Sequence, residues 1–308
     1  MFLGLFLMLA ALVPTLLCAV APRFWVSDLA VHFRLQYVLV AVAACLILAL
    51  TGHGYWATLS FLIAAVQALI CAPLVNAPAV AAVAAAAAPA AAFRVAAANV
   101  WYRNRHFQRV ADFAARESPD LILLAEVTAE CEAALASLTQ EYAHRFSTRG
   151  NRGTGLLLLS RWPMRAAVLP NFSEVEPAIA ATLVIKERRV ELLSVHTSWP
   201  IGPECTLERD RQLALIGDYA RAHEGPLIVL GDLNISPFSR VFQELLAGSH
   251  LSSAAQGFGW QPTWPVFLPP AGIQIDHVLV GAGVAVMSFR RGAPVGSDHL
   301  PILVDCAL

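Results

Sequence analysis

Eight side chains that can do acid–base or metal chemistry stand at the ends of apolar stretches in this sequence. They are, in chain order, Asn99, Glu126, His196, Asp232, Asn234, Asp276, Asp298 and His299. Taken singly, an Asn or Asp after a strand is usually part of a turn, and a lone His is more often structural than catalytic. Buried carboxylates and imidazoles, however, cost free energy unless they are paired or bind a cation. Six strand ends that carry such groups therefore predict one shared polar pocket.

The residue types in this set suit the hydrolysis of a phosphate ester. Glu126, Asn99 and Asp298 offer oxygen ligands, which hard cations such as Mg²⁺ or Mn²⁺ prefer. Asp232 is a candidate base, and the amide of Asn234 lies two residues further along the chain. The six cysteines form no CxxC pattern, so a thiolate zinc site is not indicated. The sequence therefore predicts phosphoryl hydrolysis with an oxygen-bound divalent metal.

Strand-like and helical patterns alternate around these residues from position 93 onwards. Strands are predicted at 93–100, 121–127, 154–160, 179–186, 190–196, 227–231, 275–280 and 301–306, and helices at 106–117, 129–139, 206–222 and 237–246. Thr206 is a candidate N-cap of the third helix, and Ser236 followed by Pro237 predicts the start of the fourth. Adjacent strand pairs among interleaved helices predict mixed sheets covered by helices.

The first 92 residues have a different composition, with Arg23, Asp28 and Arg34 as their only charged side chains. About 20 apolar residues are needed to cross a bilayer core, and apolar runs near 2–21, 33–51 and 55–75 are predicted to be membrane spans. A cleaved signal peptide is the alternative for the first run, although that run has no basic start. The predicted division is a transmembrane region at 1–76, an Ala/Pro-rich linker at 77–92 and a catalytic domain at 93–308.

Short motifs follow one another across the predicted domain. They are NVWYRN, PDLILLAEV, SVHTSWP, RDRQL, GDLN, IDHVLV and GSDHLPILV. In type and order they resemble the motifs of the endonuclease/exonuclease/phosphatase superfamily, which includes nucleases, sphingomyelinases and inositol-polyphosphate phosphatases. The resemblance implies an α/β fold, a four-layer sandwich of two mixed sheets with helices outside. Here an all-α transmembrane segment of about three helices would precede it.

The resemblance also implies a metal side of the pocket. Glu126 resembles the main metal ligand, Asn99 a residue that helps to hold metal and phosphate, and Asp298 an additional metal or water ligand. Many nucleases of the superfamily have an acidic residue two positions after the first Asn, where this chain has Trp101. A second metal-binding carboxylate is therefore not indicated, and an indole at this position suits an apolar or stacked substrate group.

The remaining residues resemble the groups that act on the phosphate. Asp232 resembles the group that activates the attacking water, which Asn234 orients. His299 resembles the imidazole that contacts the scissile phosphate, Asp276 its carboxylate partner, and His196 a second imidazole on the phosphate side.

Charge argues against a large nucleic-acid surface on the domain. Of the chain's 21 basic and 22 acidic side chains, 19 and 21 lie in 93–308, and Lys186 is the one lysine. Arg145, Arg149 and Arg152 form either a local basic patch or a solvated loop face. Membrane tethering favours a substrate in the same bilayer. The Trp- and Pro-rich stretch 257–273 is either an interfacial segment or a long packed loop.

These observations predict a membrane-anchored, Mg²⁺-dependent phosphoesterase that acts on a lipid-linked or small phosphorylated substrate, with the lipid bilayer as its other partner. A membrane-tethered nuclease acting on nucleic acid is the first alternative, and a non-catalytic membrane-anchored binding module is the second. The chain is expected to be a multi-pass protein of the cell membrane. Arg23 and Arg34 favour a cytoplasmic domain, whereas the resemblance favours the extracytoplasmic side, which we expect.

Overall fold

The N-terminal part of the chain forms a helical bundle. A computed structural model of the protein describes residues 1–21, 23–75, 92–185 and 187–308. The N-terminal bundle consists of α1 (Phe2–Val20), α2 (Trp25–Val31), α3 (Arg34–Leu50) and α4 (Gly54–Val75). Two of these helices, α1 and α4, are long and apolar enough to cross a membrane, and α2 with α3 would add a third span bent by 71°. Apart from Ala92, the predicted linker lies outside the described residues.

The rest of the chain alternates strands and helices. The strands are β1 (Ala92–Asn99), β2 (Leu121–Val127), β3 (His144–Ser147), β4 (Gly155–Ser160), β5 (Met164–Val168), β6 (Ile179–Ile185), β7 (Arg188–His196), β8 (Leu227–Asp232), β9 (Ser252–Ser253), β10 (Asp276–Val280), β11 (Ala285–Arg291) and β12 (Ile302–Ala307). The helices are α5 (Phe107–Glu117), α6 (Ala129–Ala134), α7 (Pro203–Arg221) and α8 (Arg240–Ser249), with short 3₁₀ helices at Leu135–Gln140 and Pro269–Ala271.

These strands form two mixed sheets of six strands each. The first has the order β11-β12-β1-β2-β4-β3, and the second has the order β5-β6-β7-β8-β10-β9. Each sheet contains one parallel pair, β1 with β2 and β7 with β8, and its other neighbours are antiparallel. The carboxyl ends of both parallel pairs carry residues of the predicted pocket.

Three apolar cores join the layers. The central core lies between the sheets and contains Val95 and Leu123 from the first and Leu192 and Ile228 from the second. A second core packs α5 and α6 on the outer face of the first sheet, and a third packs α7 and α8 on the outer face of the second. The layers therefore run helix, sheet, sheet, helix, which confirms the predicted four-layer sandwich.

Two predicted helix starts are wrong. Thr206 does not cap α7, which begins at Pro203; its hydroxyl lies inside the first turn and donates to the Gly202 carbonyl at 2.9 Å. The helix predicted from Ser236 and Pro237 begins instead at Arg240, with Ser239 as the N-cap residue. The Ser236 hydroxyl contacts the N-terminal bundle instead of capping a helix.

That contact is one of several between the bundle and the loop after β8. Ser236 Oγ lies 2.9 Å from His32 Nδ1, at the junction of α2 and α3. Arg209, on α7, is fully buried, and its Nη1 donates to Asp28 Oδ2 of α2 at 2.8 Å. Phe238 packs in an apolar cluster with bundle residues such as Val31. The loop that leaves β8 therefore lies directly against the bundle.

Candidate active site

Strand register brings three predicted residues of the second sheet side by side. His196, at the end of β7, pairs with Asp232 at the end of the parallel strand β8. Asp276, at the start of the antiparallel strand β10, pairs with Asp232 from the other side. These three side chains are almost completely buried. Asp232 therefore stands at the centre of a row of ionisable groups along one edge of the sheet.

Gly231 allows β7 and β8 to approach each other immediately before Asp232. Its φ is +140°, a conformation that L side chains rarely adopt. A Cβ atom placed there would lie 1.8 Å from the carbonyl oxygen of Val195. A glycine is therefore needed at this position for the strands to align His196 with Asp232.

The first sheet delivers Asn99 and Glu126 to the same place. Asn99 Nδ2 donates to Glu126 Oε1 at 2.8 Å and to Asp232 Oδ2 at 3.0 Å. The backbone amide of Trp101 in turn donates to Asn99 Oδ1 at 2.9 Å and fixes the orientation of the amide. Asn99 therefore joins the two sheets by bridging one carboxylate of each.

Glu126 has a backbone conformation that is unusual for its residue type. Its φ is +58°, and the pairing of β2 with β4 shifts register between Leu124 and Val127. A bulge of this kind turns a side chain away from the direction that a regular strand would give it. Left-handed conformations of non-glycine residues cost free energy and concentrate at functional sites. Here the bulge turns Glu126 towards the pocket.

His196 is held by a glutamate that the sequence did not single out. Its Nδ1 lies 3.2 Å from Glu176 Oε2, while its Nε2 lies 3.7 Å from Asp232 Oδ2 and 3.9 Å from Glu126 Oε1. Burial alone would lower the pKa of His196, but the nearby carboxylates, Glu176 first, outweigh burial and raise the pKa to about 10. The imidazole is therefore protonated at neutral pH and can donate from Nε2.

His299 has a matching arrangement on the opposite side of Asp232. Its Nδ1 lies 2.9 Å from Asp276 Oδ2, and its Nε2 lies 3.8 Å from Asp232 Oδ2. Burial opposes protonation, but Asp276 and Asp232 outweigh it and raise the pKa of His299 to about 9. The Nε2 atoms of both imidazoles therefore face one carboxylate oxygen at distances that are longer than hydrogen bonds.

Asp232 is held in place by the loop that follows it. The backbone amide of Asn234 donates to Asp232 Oδ1 at 2.9 Å, and Asn234 Nδ2 donates to the Thr197 carbonyl at 2.8 Å. Burial and the negative charge of Asp276 raise the pKa of Asp232 above its usual range. A carboxylate whose pKa is raised accepts a proton more readily, which suits a general base.

Asp298 lies at the rim of the cluster. Its Oδ2 accepts a hydrogen bond from the indole Nε1 of Trp264 at 3.1 Å. The preceding residue, Ser297, donates to the Asn99 carbonyl at 2.7 Å, and its Oγ accepts from the His299 amide at 3.0 Å. The GSDH turn is therefore fastened to the end of β1, and Asp298 and His299 take different directions from it.

The oxygen atoms of this cluster suit a divalent cation. Ligand atoms of Asp232, Asp276 and His299 all lie within 4.8 Å of one another. Buried Asp276 Oδ1 has no hydrogen-bond partner among the described residues. No Arg or Lys in the described part of the chain forms an ion pair with the carboxylates of Asp232, Asp276 or Glu126. The carboxylates of Glu126, Glu176, Asp232 and Asp276 outnumber the two imidazoles that face them, and a bound cation would balance the excess negative charge.

The structure thus brings the eight predicted residues into one cluster, although their assignment to metal or phosphate remains a prediction. The predicted metal ligands Glu126 and Asn99 lie beside the Asp232–Asp276–His299 group, and Asp298 lies at its edge.

Two residues that contact the cluster were missed by sequence reasoning. Glu176 lies in the loop NFSEVEP between β5 and β6, and no feature of that loop separates it from Glu174 nearby. Trp264 lies in the stretch 257–273, whose composition indicates an interfacial segment or a packed loop and no contact with Asp298.

The comparisons with known proteins identify the family to which this fold belongs. The sequence profile described as "Endonuclease/Exonuclease/phosphatase family" matches residues 96–299. The chain belongs to this family, whose members are hydrolases that act on phosphodiester bonds. No curated protein sequence matches the chain.

Three solved structures illustrate the similarity of fold. An endonuclease/exonuclease/phosphatase from Beutenbergia cavernae is 22% identical with a TM-score of 0.58, covering 71% of this chain and 72% of that one. D. rerio TDP2 complexed with a single-strand DNA product is 15% identical with a TM-score of 0.57, covering 70% and 99%. The human Nocturnin catalytic domain with bound sulfate is 20% identical with a TM-score of 0.56, covering 70% and 93%.

Proposed function

We propose that the protein is a membrane-anchored, Mg²⁺-dependent phosphoesterase that hydrolyses a lipid-linked or small phosphorylated substrate. The observation that carries this proposal is the placement of two imidazoles on either side of Asp232. Each is held at Nδ1 by a carboxylate, and each directs Nε2 towards Asp232 Oδ2, at 3.7 Å for His196 and 3.8 Å for His299. A phosphate group between them would meet two donors and one base.

Each residue of the cluster has a role in this reaction. Asp232 takes the proton of the attacking water, and Asn234 holds its carboxylate in place through the backbone amide. His196 and His299 donate from Nε2 to the phosphate oxygens and stabilise the charge that develops there. Mn²⁺ is the alternative metal to Mg²⁺, and either ion, when bound, supplies positive charge to the phosphate oxygens. Glu126, Asn99 and Asp298 are its proposed ligands, next to Asp276.

The position of the N-terminal bundle supports a lipid-linked substrate. Asp232 precedes Ser236 by four residues, so their Cα atoms are at most about 14 Å apart. Ser236 contacts His32, at the end of the bundle that faces the domain. The polar headgroup region adds several ångström on each side of the hydrocarbon core of a bilayer. If the bundle spans the membrane, Asp232 lies close to headgroup level, where a lipid phosphate is within reach.

The test is hydrolysis by the full chain in nanodiscs. Bis(p-nitrophenyl) phosphate and p-nitrophenyl phosphate are the first substrates, each with Mg²⁺, with Mn²⁺ and with a chelator. We expect metal-dependent release of p-nitrophenolate that Asp232→Asn abolishes. Release that is equal in the chelator, or equal in the variant, would contradict the proposal. Phosphatidic acid and single-stranded DNA, compared next under the same conditions, separate the substrate classes.

Single-stranded nucleic acid is the second candidate substrate, and two residues at the mouth of the site favour it. Tyr102 is exposed, its amide donates to Glu126 Oε2 at 3.0 Å, and the Arg103 guanidinium lies 5.2 Å from its ring centre. Bases stack on exposed aromatic rings of this kind. The structurally similar D. rerio TDP2 binds a single-strand DNA product. In the predicted basic patch, however, Arg149 is paired with Glu132 at 2.9 Å, which reduces its charge for a phosphate backbone.

A non-catalytic binding module is the remaining alternative. A module without activity has no need for a base, two oriented imidazoles and an excess of buried carboxylates in one place, because burying such groups costs folding free energy. An absence of turnover on every substrate above, with metal still bound, would favour this alternative.

A further inference from the structure

The segment 260–272 touches the N-terminal bundle at both of its ends. At one end Trp260 stacks on Phe238 with ring centres 5.0 Å apart, and both rings pack on the apolar cluster at the end of the bundle. At the other end Gln36, in the first turn of α3, donates from Nε2 to the Gly272 carbonyl at 2.8 Å. The segment therefore follows the end of the bundle from which α3 begins.

Two large apolar side chains protrude from the middle of this segment. Phe267 is 76% exposed and Leu268 is 50% exposed. Exposed apolar side chains beside membrane-spanning helices are stabilised by insertion into the interfacial region of a bilayer. Both ends of the segment are fixed to the bundle, so its tip is held beside the bundle and cannot swing away freely.

The same segment lines a mainly apolar groove of 490 Å³. Trp264, Pro265, Val266 and Pro269 line it from this segment, and Pro294, Leu300 and the two arginines Arg290 and Arg291 also line it. A volume of this size falls within the range of about 300–1,000 Å³ that is typical of small-molecule sites. The groove begins near Pro269, beside the exposed tip.

The groove lies next to the candidate active site. Leu300 lines the groove and directly follows His299 in the chain. Trp264 also lines the groove, and its ring centre lies 6.5 Å from that of His299 while its Nε1 donates to Asp298. Trp264 is therefore shared by the groove and the candidate active site, and it lies between the segment that contacts α3 and the imidazole of His299.

We propose that this groove holds the hydrocarbon chain of a membrane amphiphile whose phosphate is bound by His299 Nε2 at the edge of the cluster around Asp232. The inference rests on the proposed phosphoesterase function and names the substrate class, an amphiphile that enters sideways from the bilayer past Phe267 and Leu268. The occupant is a lipid chain because the groove is continuous with a segment fixed to the membrane-spanning bundle. A free sugar phosphate or a nucleotide would leave the groove empty.

The first test needs no turnover. Full chain is reconstituted in nanodiscs that contain a phosphatidic acid with a diazirine midway along one acyl chain, then irradiated, and the adducts are located by mass spectrometry of chymotryptic peptides. We expect adducts within 261–272 and 292–300 in addition to the bundle. Adducts confined to α1, α3 and α4 would overturn the inference, even if the protein proves to be a phosphoesterase.

Filling the groove from either of two lining positions gives the second test. Pro294→Trp and Val266→Trp are each compared with Val168→Trp, a control at an exposed position of β5 in the other sheet. The substrates are alkyl p-nitrophenyl phosphates with a four-carbon or a twelve-carbon chain. In the filled variants the ratio of kcat/KM for the long ester to that for the short one should fall about tenfold, the loss expected when a few methylenes cannot be buried. The control should keep the original ratio.

Together, the two filled variants and the labelling distinguish a failure of the lipid-chain groove from a failure of the proposed phosphoesterase function. An unchanged ratio in both filled variants, each folded by its thermal unfolding curve, would overturn the lipid-chain groove and leave the phosphoesterase intact. Turnover of neither ester would overturn the proposed function, and the adducts would then decide whether the groove holds a lipid chain.

Discussion

Arg209 and Asp28 form a buried ion pair between the catalytic domain and the N-terminal bundle. The guanidinium is fully buried on α7, and its Nη1 lies 2.8 Å from Asp28 Oδ2 on the short helix α2. The same carboxylate group accepts from the Ser239 hydroxyl at 3.3 Å, at the start of α8. Arg209 Nη1 also lies 3.5 Å from the Asn234 carbonyl. A charged contact of α2 therefore adjoins the loop that follows Asp232.

The first prediction concerns the stability that this pair contributes. Asp28→Asn leaves a buried guanidinium with Asp210 as its remaining carboxylate, because Arg209 Nη2 also donates to Asp210 Oδ1 at 2.6 Å. Removing one partner of a buried pair costs about 3 kcal/mol, which corresponds to a fall in melting temperature of roughly 6 °C or more. Thermal unfolding of the full chain in detergent measures the melting temperatures of the variant and of the unchanged protein.

Asp218→Asn is the matched control for this experiment. Asp218 is also on α7 and also pairs with an arginine, Arg221, but both side chains are about half exposed or more. Exposed pairs contribute about 0.5 kcal/mol. Equal melting temperatures for the two variants would mean that the domain does not depend on its contact with α2.

This pair also shows what sequence reasoning cannot reach. The seven residues of α2 contain Asp28 and lie between two apolar runs, so the sequence predicts a loop there. In the structure they form a helix whose Asp28 pairs with Arg209, 181 positions away. Ser236 also gave a false helix start, and its hydroxyl contacts His32, 204 positions away. Contacts between distant parts of the chain decide these details, and local patterns do not contain them.

The strand ends were easier to predict because their signal is local. A polar residue that closes an apolar strand, as Asn99 closes β1 and Asp232 closes β8, marks the edge of a sheet without any knowledge of the partner strands. The register of strand pairing brings these polar residues together into a cluster. It pairs His196 and Asp276 with Asp232. Glu176 has no such local signal, because it lies in a loop between strands.

The second prediction tests Asp232 as the base. Asp232→Asn keeps the size of the side chain and can still accept the amide of Asn234, but it cannot take a proton from water. We expect turnover of bis(p-nitrophenyl) phosphate to fall by about a hundredfold or more, the typical loss of a general base. Activity close to that of the unchanged protein would show that another group takes the proton.

The third prediction tests Glu126 as a metal ligand. Glu126→Gln keeps the shape and loses the charge, so metal affinity should fall more than stability does. We expect activity at low Mg²⁺ to drop by at least about tenfold and to recover in part at high Mg²⁺. Glu132→Gln is the control, since Glu132 is paired with Arg149 outside the cluster. A lower melting temperature with unchanged metal dependence would identify Glu126 as structural.

The fourth prediction concerns Glu176, which positions His196 and does not touch the substrate. Glu176→Ala removes the partner of His196 Nδ1, 3.2 Å away, and frees the ring to rotate. We expect kcat to fall about 10- to 100-fold with a smaller change in KM, as for carboxylates that orient a functional histidine. Glu176→Gln should recover part of kcat, because its amide oxygen can still accept from Nδ1.

Glu174→Ala is the control, at an exposed position two residues earlier in the same loop. If the alanine variants at 174 and 176 have the same kcat, the contact with His196 has no part in the reaction. If the glutamine variant is as impaired as the alanine variant, the charge of Glu176 matters and its hydrogen bond does not.

The last prediction places the domain on the extracytoplasmic side of the cell membrane. Positive charges near spans favour the cytoplasm, and Arg23 and Arg34 lie at the end of the bundle that contacts the domain. Arg34, however, has a buried partner, because it donates to Gln67 on α4 at 2.8 Å, whereas Arg23 is largely exposed and lies 3.9 Å from Glu244 on α8. Its contact gives Arg34 a structural reason to be where it is, which weakens that arginine as a signal of orientation.

Reporter fusions after Leu308 measure the orientation directly. We expect alkaline phosphatase, which folds in an oxidising compartment, to be active in the fusion, and a fluorescent protein that matures in the cytoplasm to be dark. A fusion at Gly52, in the turn between α3 and α4, is the control and should give the opposite result, because this turn lies at the other end of α3 from the domain. A bright fluorescent fusion after Leu308 with inactive phosphatase would place the domain in the cytoplasm and make nucleic acid the leading substrate.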